Sequence, residues 1–216
     1  MDINAIEVGD TETIALTKLQ ARKFLLFYHG LYGDYEFSGT DGVMAYIRRV
    51  GCIQFDPLNV VGMNPELVLQ SRIGGFDRSM LPQLLYEERR LVDYWDKNMS
   101  IFPTEDWMYF RRFRERYQAW CNAHPETVER VYEEIRERGR LCSGDLQYDE
   151  KVNWAWGPTR LSRAALEAMY HAGLLVVHHK PNTRKYYDLA ERHIPKEWYE
   201  AADPFETDEQ YYNWHV

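Results

Sequence analysis

The order of elements in the last third of the chain limits its folds more than any other feature. Leu161, Ala165, Leu166 and Met169 repeat with helical period behind Thr159, an expected N-cap, and Gly173 supplies the stop. Leu174 to His179 then reads as a strand, Lys180-Pro181-Asn182-Thr183 as a turn, and Arg184 to Leu189 as the returning strand. Before them, Leu141 is expected in a short strand and Ser143 to Gln147 in a short helix. Two helices followed by a hairpin with a basic tip is the order of a winged helix, a relative of the helix-turn-helix.

A similar order is legible earlier. Thr17 and Gln20 form a capping-box pair opening a helix, with Leu19, Leu25, Leu26 and Tyr28 expected on its buried side. Thr40 is the next expected N-cap; Val43, Met44, Ile47 and Val50 follow, and Gly51 ends the helix. Cys52 to Asp56 reads as a short strand stopped by Pro57. Asn64-Pro65 and Ser79 open two more helices, and Arg90–Trp95 with Lys97–Phe102 predicts a strand pair. A long helix from Thr104 and another from Pro125 to Gly139, rich in both Arg and Glu, read as a salt-bridged connector. The expected fold is mainly α with small β-hairpins, in tandem winged-helix units. Residues 17–103 form the first unit, 104–140 the connector and 141–195 the second unit, between an N-terminal segment 1–16 and an acidic, aromatic, irregular tail 196–216.

Charge neither favours nor forbids a nucleic-acid partner. The net charge is −8, but the first 12 residues and the last 20 hold ten acids and no Lys or Arg, which leaves about +2 for the remainder. DNA capture therefore has to come from local patches. The sequence has no apolar run of membrane-spanning length and its first residues lack the basic start of a signal peptide, so the expected location is cytoplasmic, with no membrane partner. Cys52, Cys121 and Cys142 are odd in number and widely spaced, which points to reduced structural thiols rather than a disulfide framework or zinc site.

The sharpest polar constellation is Gln54 with Asp56. In an extended segment both project from one face, and Ile53 and Phe55 from the other. A carboxylate and an amide so placed can hold one water or flank a developing cation, the services that N-glycosidic cleavage needs. The plain alternative is a loop-entry Asp-Pro and a solvent-facing Gln. Candidate DNA contacts are Arg160 and Arg163 near the start of the late helix, with Lys180, Arg184 and Lys185 at or beside the hairpin tip. The Arg111-Arg112-Phe113-Arg114 cluster is a weaker candidate because it sits among acids, and Trp154 and Trp156 read first as packing residues. His178 and His179 are adjacent, so a regular strand would aim them at opposite faces, and no metal is expected.

The stretch VGCIQFDPLNVV, with LVLQSRI, LLYEERRLVDYW and SIFP, resembles the hallmark region of the YcaQ/AlkZ family of DNA glycosylases, and Gln54-Phe55-Asp56 matches its Gln-Φ-Asp motif. LTKLQARKFLLFYHGL and the segment from WAWGPTRLSRAAL to AERHIP are also similar to the family, so the likeness spans roughly residues 17 to 195. The resemblance implies cleavage of alkylated or crosslinked bases from duplex DNA without metal or organic cofactor, with Asp56 as the carboxylate and Gln54 positioning water. Family chains continue into a third winged-helix unit that helps clasp DNA, which implies weaker activity for the 216 residues alone. Relatives also carry a basic, His-rich stretch where this chain has Gly62-Met63-Asn64-Pro65. A non-catalytic winged-helix module binding DNA or protein is the alternative; a protein partner or a second copy would then dock through the tail.

Overall fold

The computed structural model describes residues 14–56, 58–96, 98–155 and 157–215. The chain is mainly α-helical, with short strand pairs. Helix α1 (Lys18–Tyr28) opens on the expected capping box: the Gln20 amide donates to Thr17 Oγ1 at 3.3 Å, and the Thr17 amide to Gln20 Oε1 at 2.9 Å. Its apolar side is not covered, however, and Leu19, Leu25 and Leu26 remain 62, 53 and 43% exposed. Periodicity says which side chains share a face and nothing about what lies opposite.

Strand β1 (Phe37–Ser38) leads into α2 (Gly39–Val50), whose N-cap is Ser38 rather than Thr40. Val43, Met44 and Ile47 are buried together, and Gly51 ends the helix at φ 77°. Strand β2 is only Ile53–Gln54, shorter than the five residues expected. Helix α3 (Asn64–Gln70) follows with Met63, not Asn64, at its N-cap, then β3 (Ile73–Gly74), parallel to β1. Helix α4 (Met80–Pro82) runs on into a π-helical turn, Gln83–Glu87. The hydroxyl of Ser79 does not cap α4; instead the Asp77 carboxylate accepts the Ser79 amide at 2.8 Å. Strands β4 (Leu91–Trp95) and β5 (Met99–Pro103) form the expected hairpin, and β5 also pairs with β2, setting Ile53 opposite Ile101 and Gln54 opposite Ser100.

The long helix expected from Thr104 is three pieces: a 3-10 stretch, Thr104–Phe110, then α5 (Arg111–Arg116) and α6 (Gln118–Ala123). A period of three places Trp107 and Phe110 on one side, and both are buried. Helix α7 (Pro125–Arg138) ends at Gly139 as expected. Ser143–Gln147 forms turns rather than a helix, with Asp145 accepting the Cys142 amide at 2.8 Å. Thr159 is not a cap but part of strand β7 (Thr159–Arg160), paired with β6 (Lys151–Val152). The first amides of α8 (Leu161–His171) are satisfied by main chain instead, Leu161 donating to Glu150 at 2.7 Å and Ser162 to Tyr148 at 3.3 Å. Strands β8 (Leu175–His179) and β9 (Tyr186–Leu189) complete the hairpin, with Leu141 bridged to Tyr187 beside it. The tail is not irregular: it carries α9 (Lys196–Tyr199) and α10 (Asp208–His215). Arg112 pairs with Asp203 and Asp208, Tyr211 is buried, and Trp214 stacks 4.9 Å from Tyr109, so acids that looked unbalanced in sequence meet bases across the fold.

Two apolar cores result among the described residues. Leu91 and Ile101 join the first, with Val43, Ile47, Leu69 and Leu84; Val92, Tyr94 and Phe102 join the second, with Trp107, Ile135, Met169 and Leu175. Strand alternation thus gives the β4–β5 hairpin one face for each core. Among the described residues no helix is long and apolar enough to cross a membrane.

Gly173 shows how tightly the second core closes. It lies at φ 77°, and a Cβ there would run into the side chain of Arg114, which is itself buried and fixed by donation from Nη1 to the Trp107 carbonyl at 2.6 Å. Gly173→Ala is expected to destabilise the fold by about 2–4 kcal/mol, from left-handed strain plus overpacking. Urea unfolding measures this, and a midpoint equal to wild type would contradict the packing described.

Candidate functional site

Strand β2 owes its place to pairing on one edge and a side-chain tie on the other. The Phe55 amide donates to the Met99 carbonyl at 2.8 Å, extending the β2–β5 register by one residue, and Asn64 Nδ2 donates to the Gln54 carbonyl at 2.9 Å. Ile53 is buried and Phe55 packs against the first core, while Gln54 and Asp56 open onto a common cleft of about 220 Å³. Asn98, Met99, Trp95 and Phe55 complete its wall, so Phe55, expected on the opposite face, also borders the cleft. Asp56 Oδ1 accepts the Leu58 amide at 2.9 Å, a local turn that fixes the carboxylate's orientation beside the cleft.

Behind this strand the structure corrects one expectation. Lys180 does not project from the hairpin tip: its side chain is 4% exposed, its ammonium lies 3.6 Å from the centroid of the Phe55 ring, and it pairs with the wholly buried Asp93. An ammonium against a ring face is attracted by the ring's quadrupole, so the Φ residue of the motif rests on a cation held by a carboxylate. The other four candidates are scattered in environment. Arg160 is exposed and 3.4 Å from Asp149; Arg163 is exposed and bonded to Glu167 at 2.9 Å; Arg184 is exposed; Lys185 is half-buried with its ammonium 4.8 Å from the Tyr170 ring centroid. The Arg111–Arg114 cluster is internal to the fold: Arg111 and Arg112 hold the tail, and Arg114 is buried.

Arg163, Arg184 and Lys185 meet at a second, larger cavity of about 890 Å³, which sequence reasoning did not anticipate. Trp95 and Met99 line both it and the Gln54–Asp56 cleft. Trp120 and Trp154 stand edge to face across 6.0 Å, and Trp154 Nε1 donates to Glu167 at 2.7 Å, so Trp154 is a cavity wall as well as a packing residue. Trp156 and residues 1–13 lie outside the described residues.

The histidine pair departs from a regular strand. A register shift between Val177 and His179 brings Nδ1 of His178 and His179 to 2.9 Å from one another. His178, Asp188 and His193 have donor atoms within 4.8 Å of one another, but Asp188 Oδ1 is taken by Arg192 at 3.0 Å and Oδ2 by His193 at 2.9 Å. Burial works to raise the Asp188 carboxyl, yet His193, the Leu189 amide and Arg192 outweigh it and hold it at about 2. Arg192 and His193 thus hold the Asp188 carboxylate within the fold.

Two measurements check these environments. Lys180→Met leaves a buried carboxylate without its cation and is expected to cost about 3–5 kcal/mol, whereas Lys180→Met with Asp93→Leu together should recover most of it; an equal loss in both would refute the pairing. Burial, helped by Lys185 at His171 and by Arg89 at His178, lowers both imidazoles to about 4. From pH 6.5 down to about 4 the unfolded chain therefore takes up protons that these folded imidazoles refuse, and stability falls with pH. Asp106, pushed up to about 6 by burial and Glu105, opposes this, but it is one group against three, because burial lowers His179 as well. Thermal melts should drop across that window, with a smaller drop for His171→Gln; a flat profile in wild type would contradict the burial.

No solved structure matches the chain. The family model described as "DNA glycosylase AlkZ-like" matches residues 47–215, a span that begins in α2 and takes in the Gln54–Asp56 cleft, the larger cavity and α10. The chain belongs to the AlkZ-like DNA glycosylase family.

Proposed function

We propose that the chain hydrolyses the N-glycosidic bond of alkylated or crosslinked purines in duplex DNA, as a monofunctional glycosylase, with Asp56 and Gln54 at the reacting bond. The carrying observation is that these two side chains open onto one cleft while Ile53 anchors the strand from behind. Cleavage develops positive charge on the sugar, which a carboxylate stabilises while polarising the attacking water. The amide of Gln54 orients that water without adding charge. A purine alkylated at N7 leaves as a neutral base from a cationic one, so the site needs no strong general acid.

Residues 17–103 and 141–195 act as tandem winged-helix units joined by 104–140, and Arg160, Arg163 and Arg184 supply phosphate contacts from the second. Lys180 is left out of that set because its ammonium is spent on Asp93 and Phe55. Lys185 reaches the larger cavity rather than the outer surface. A cytoplasmic location, where duplex DNA is met without crossing a membrane, belongs to the same reading.

The test is release of N7-methylpurine from methylated duplex under single turnover. Asp56→Asn should lower the rate by roughly 10²–10³-fold, the usual loss when one electrostatic stabiliser is removed, and Gln54→Ala by a smaller factor. Strand breakage without added alkali should not accompany release. Equal rates for wild type and Asp56→Asn would remove the catalytic assignment, and salt-sensitive duplex binding with no base release is the result that a binding module would give.

A further inference from the structure

On one side of the β8–β9 hairpin, three side chains that can ligate a metal come together. His178 stands on β8, Asp188 on β9, and His193 just after the 3-10 stretch Ala190–Arg192, and one donor atom from each lies within 4.8 Å of the others. None of the three lines the Gln54–Asp56 cleft or the larger cavity. We propose that His178, Asp188 and His193 bind one Zn²⁺-class transition-metal ion, with His179 holding the His178 ring from outside and water completing the coordination. The ion clips the hairpin to the stretch that leads into α9, so it acts on stability and stands apart from the assignment of Asp56 and Gln54.

The irregularity in β8 makes the arrangement possible. Strict alternation would send His178 and His179 to opposite faces, but the register shift between Val177 and His179 brings their Nδ1 atoms to 2.9 Å. Two ring nitrogens at that distance share one hydrogen; carried by His178 Nδ1, it leaves the Nε2 lone pair of the same ring for an ion. A metal-bound imidazole is usually oriented by such an outer partner, and His179 is itself stacked on Tyr186 with centroids 4.6 Å apart. The buried Asp188 is divided in the same way. Its Oδ1 accepts from the Leu189 amide at 2.8 Å and from Arg192 at 3.0 Å, while Oδ2 faces His193 Nε2 at 2.9 Å. Ligand atoms about 2.0–2.2 Å from a tetrahedral ion stand about 3.3–3.6 Å apart, so Oδ2 and Nε2 need to part by only about half an ångström to admit it. The neighbourhood selects the kind of ion. Arg89 donates to the Val177 and His178 carbonyls at 3.1 Å each, Arg140 acts on both hairpin imidazoles, and Arg192 is bonded to Asp188. One carboxylate among three guanidinium groups does not hold Mg²⁺ or Ca²⁺, which need several oxygen ligands, whereas imidazole nitrogens suit Zn²⁺. The three histidines are partly exposed, which gives the ion a way in.

Thermal unfolding of the full chain tests the site. The protein is stripped with EDTA and then melted in EDTA, in Zn²⁺ or in Mg²⁺, with Zn²⁺ affinity measured by isothermal titration. At about a hundredfold excess over Kd, Zn²⁺ should raise the melting temperature by about 5–10 °C, and Mg²⁺ should leave it where it is. His178→Gln and His193→Gln should each abolish the rise and lower Zn²⁺ affinity by more than about a hundredfold. His179→Gln should lower the affinity by about 10–100-fold, the usual loss when an outer hydrogen-bond partner of a ligand is removed, and His29→Gln should not change it. Each variant is compared with itself in EDTA, so any loss of stability from the substitution alone drops out. No rise in wild type, a rise with Mg²⁺ as large as with Zn²⁺, or a wild-type rise in His193→Gln would each overturn the proposal.

Discussion

The β4–β5 hairpin is buried on both faces, and everything that positions the candidate site hangs from it. Leu91 and Ile101 face one core, Val92, Tyr94 and Phe102 the other, and β2 takes its register from the outer edge of β5. The cleft wall comes from the same hairpin: Trp95 and Met99 sit at its turn end, where the Asp96 amide closes the turn on the Asn98 carbonyl at 2.9 Å. From the other side, His215 at the end of α10 reaches Asp96 at 2.5 Å. A strand pair fixed from two cores has little freedom to drift, and that is the requirement for holding an amide and a carboxylate on the same small space.

The buried Lys180–Asp93 pair adds a second restraint at a distinct place. It ties the β8–β9 turn to β4 and sets a cation under the Phe55 ring, so the motif's middle residue is held by charge as well as by packing. Such a pair contributes little net stability compared with an apolar substitute, but it penalises every arrangement in which one partner is left alone. That makes it a device for registering two parts of the chain against each other.

What was legible in the sequence was local. The Thr17–Gln20 capping box, the Gly51, Gly139 and Gly173 stops, and both hairpins depend on residues a few positions apart, and they are present. Thr159 failed as a cap because carbonyls of Glu150 and Tyr148, brought in by the β6–β7 pairing, satisfy the first amides of α8. The tail looked irregular because its acids have no bases nearby in sequence, whereas Arg112, about ninety residues earlier, supplies them. That Gln54 and Asp56 open onto one cleft could be read from alternation, because both sit on one short segment. Lys180 could not be placed, since its fate is decided by Asp93 on a distant strand. The large cavity was invisible for the same reason: it is assembled from β4, β5, α6, α8, the β8–β9 hairpin, the turn at Ser143 and the segment before β7, and no local pattern marks the meeting of elements so far apart in sequence.

The central claim is that the Asp56 carboxylate stabilises positive charge on the sugar. It is tested most directly by affinity for a duplex carrying a pyrrolidine abasic mimic, a cationic image of the transition state, against one carrying the neutral tetrahydrofuran mimic. The account predicts that wild type prefers the cationic duplex by roughly a hundredfold, and that the preference vanishes in Asp56→Asn. Equal preference in the two proteins would contradict it.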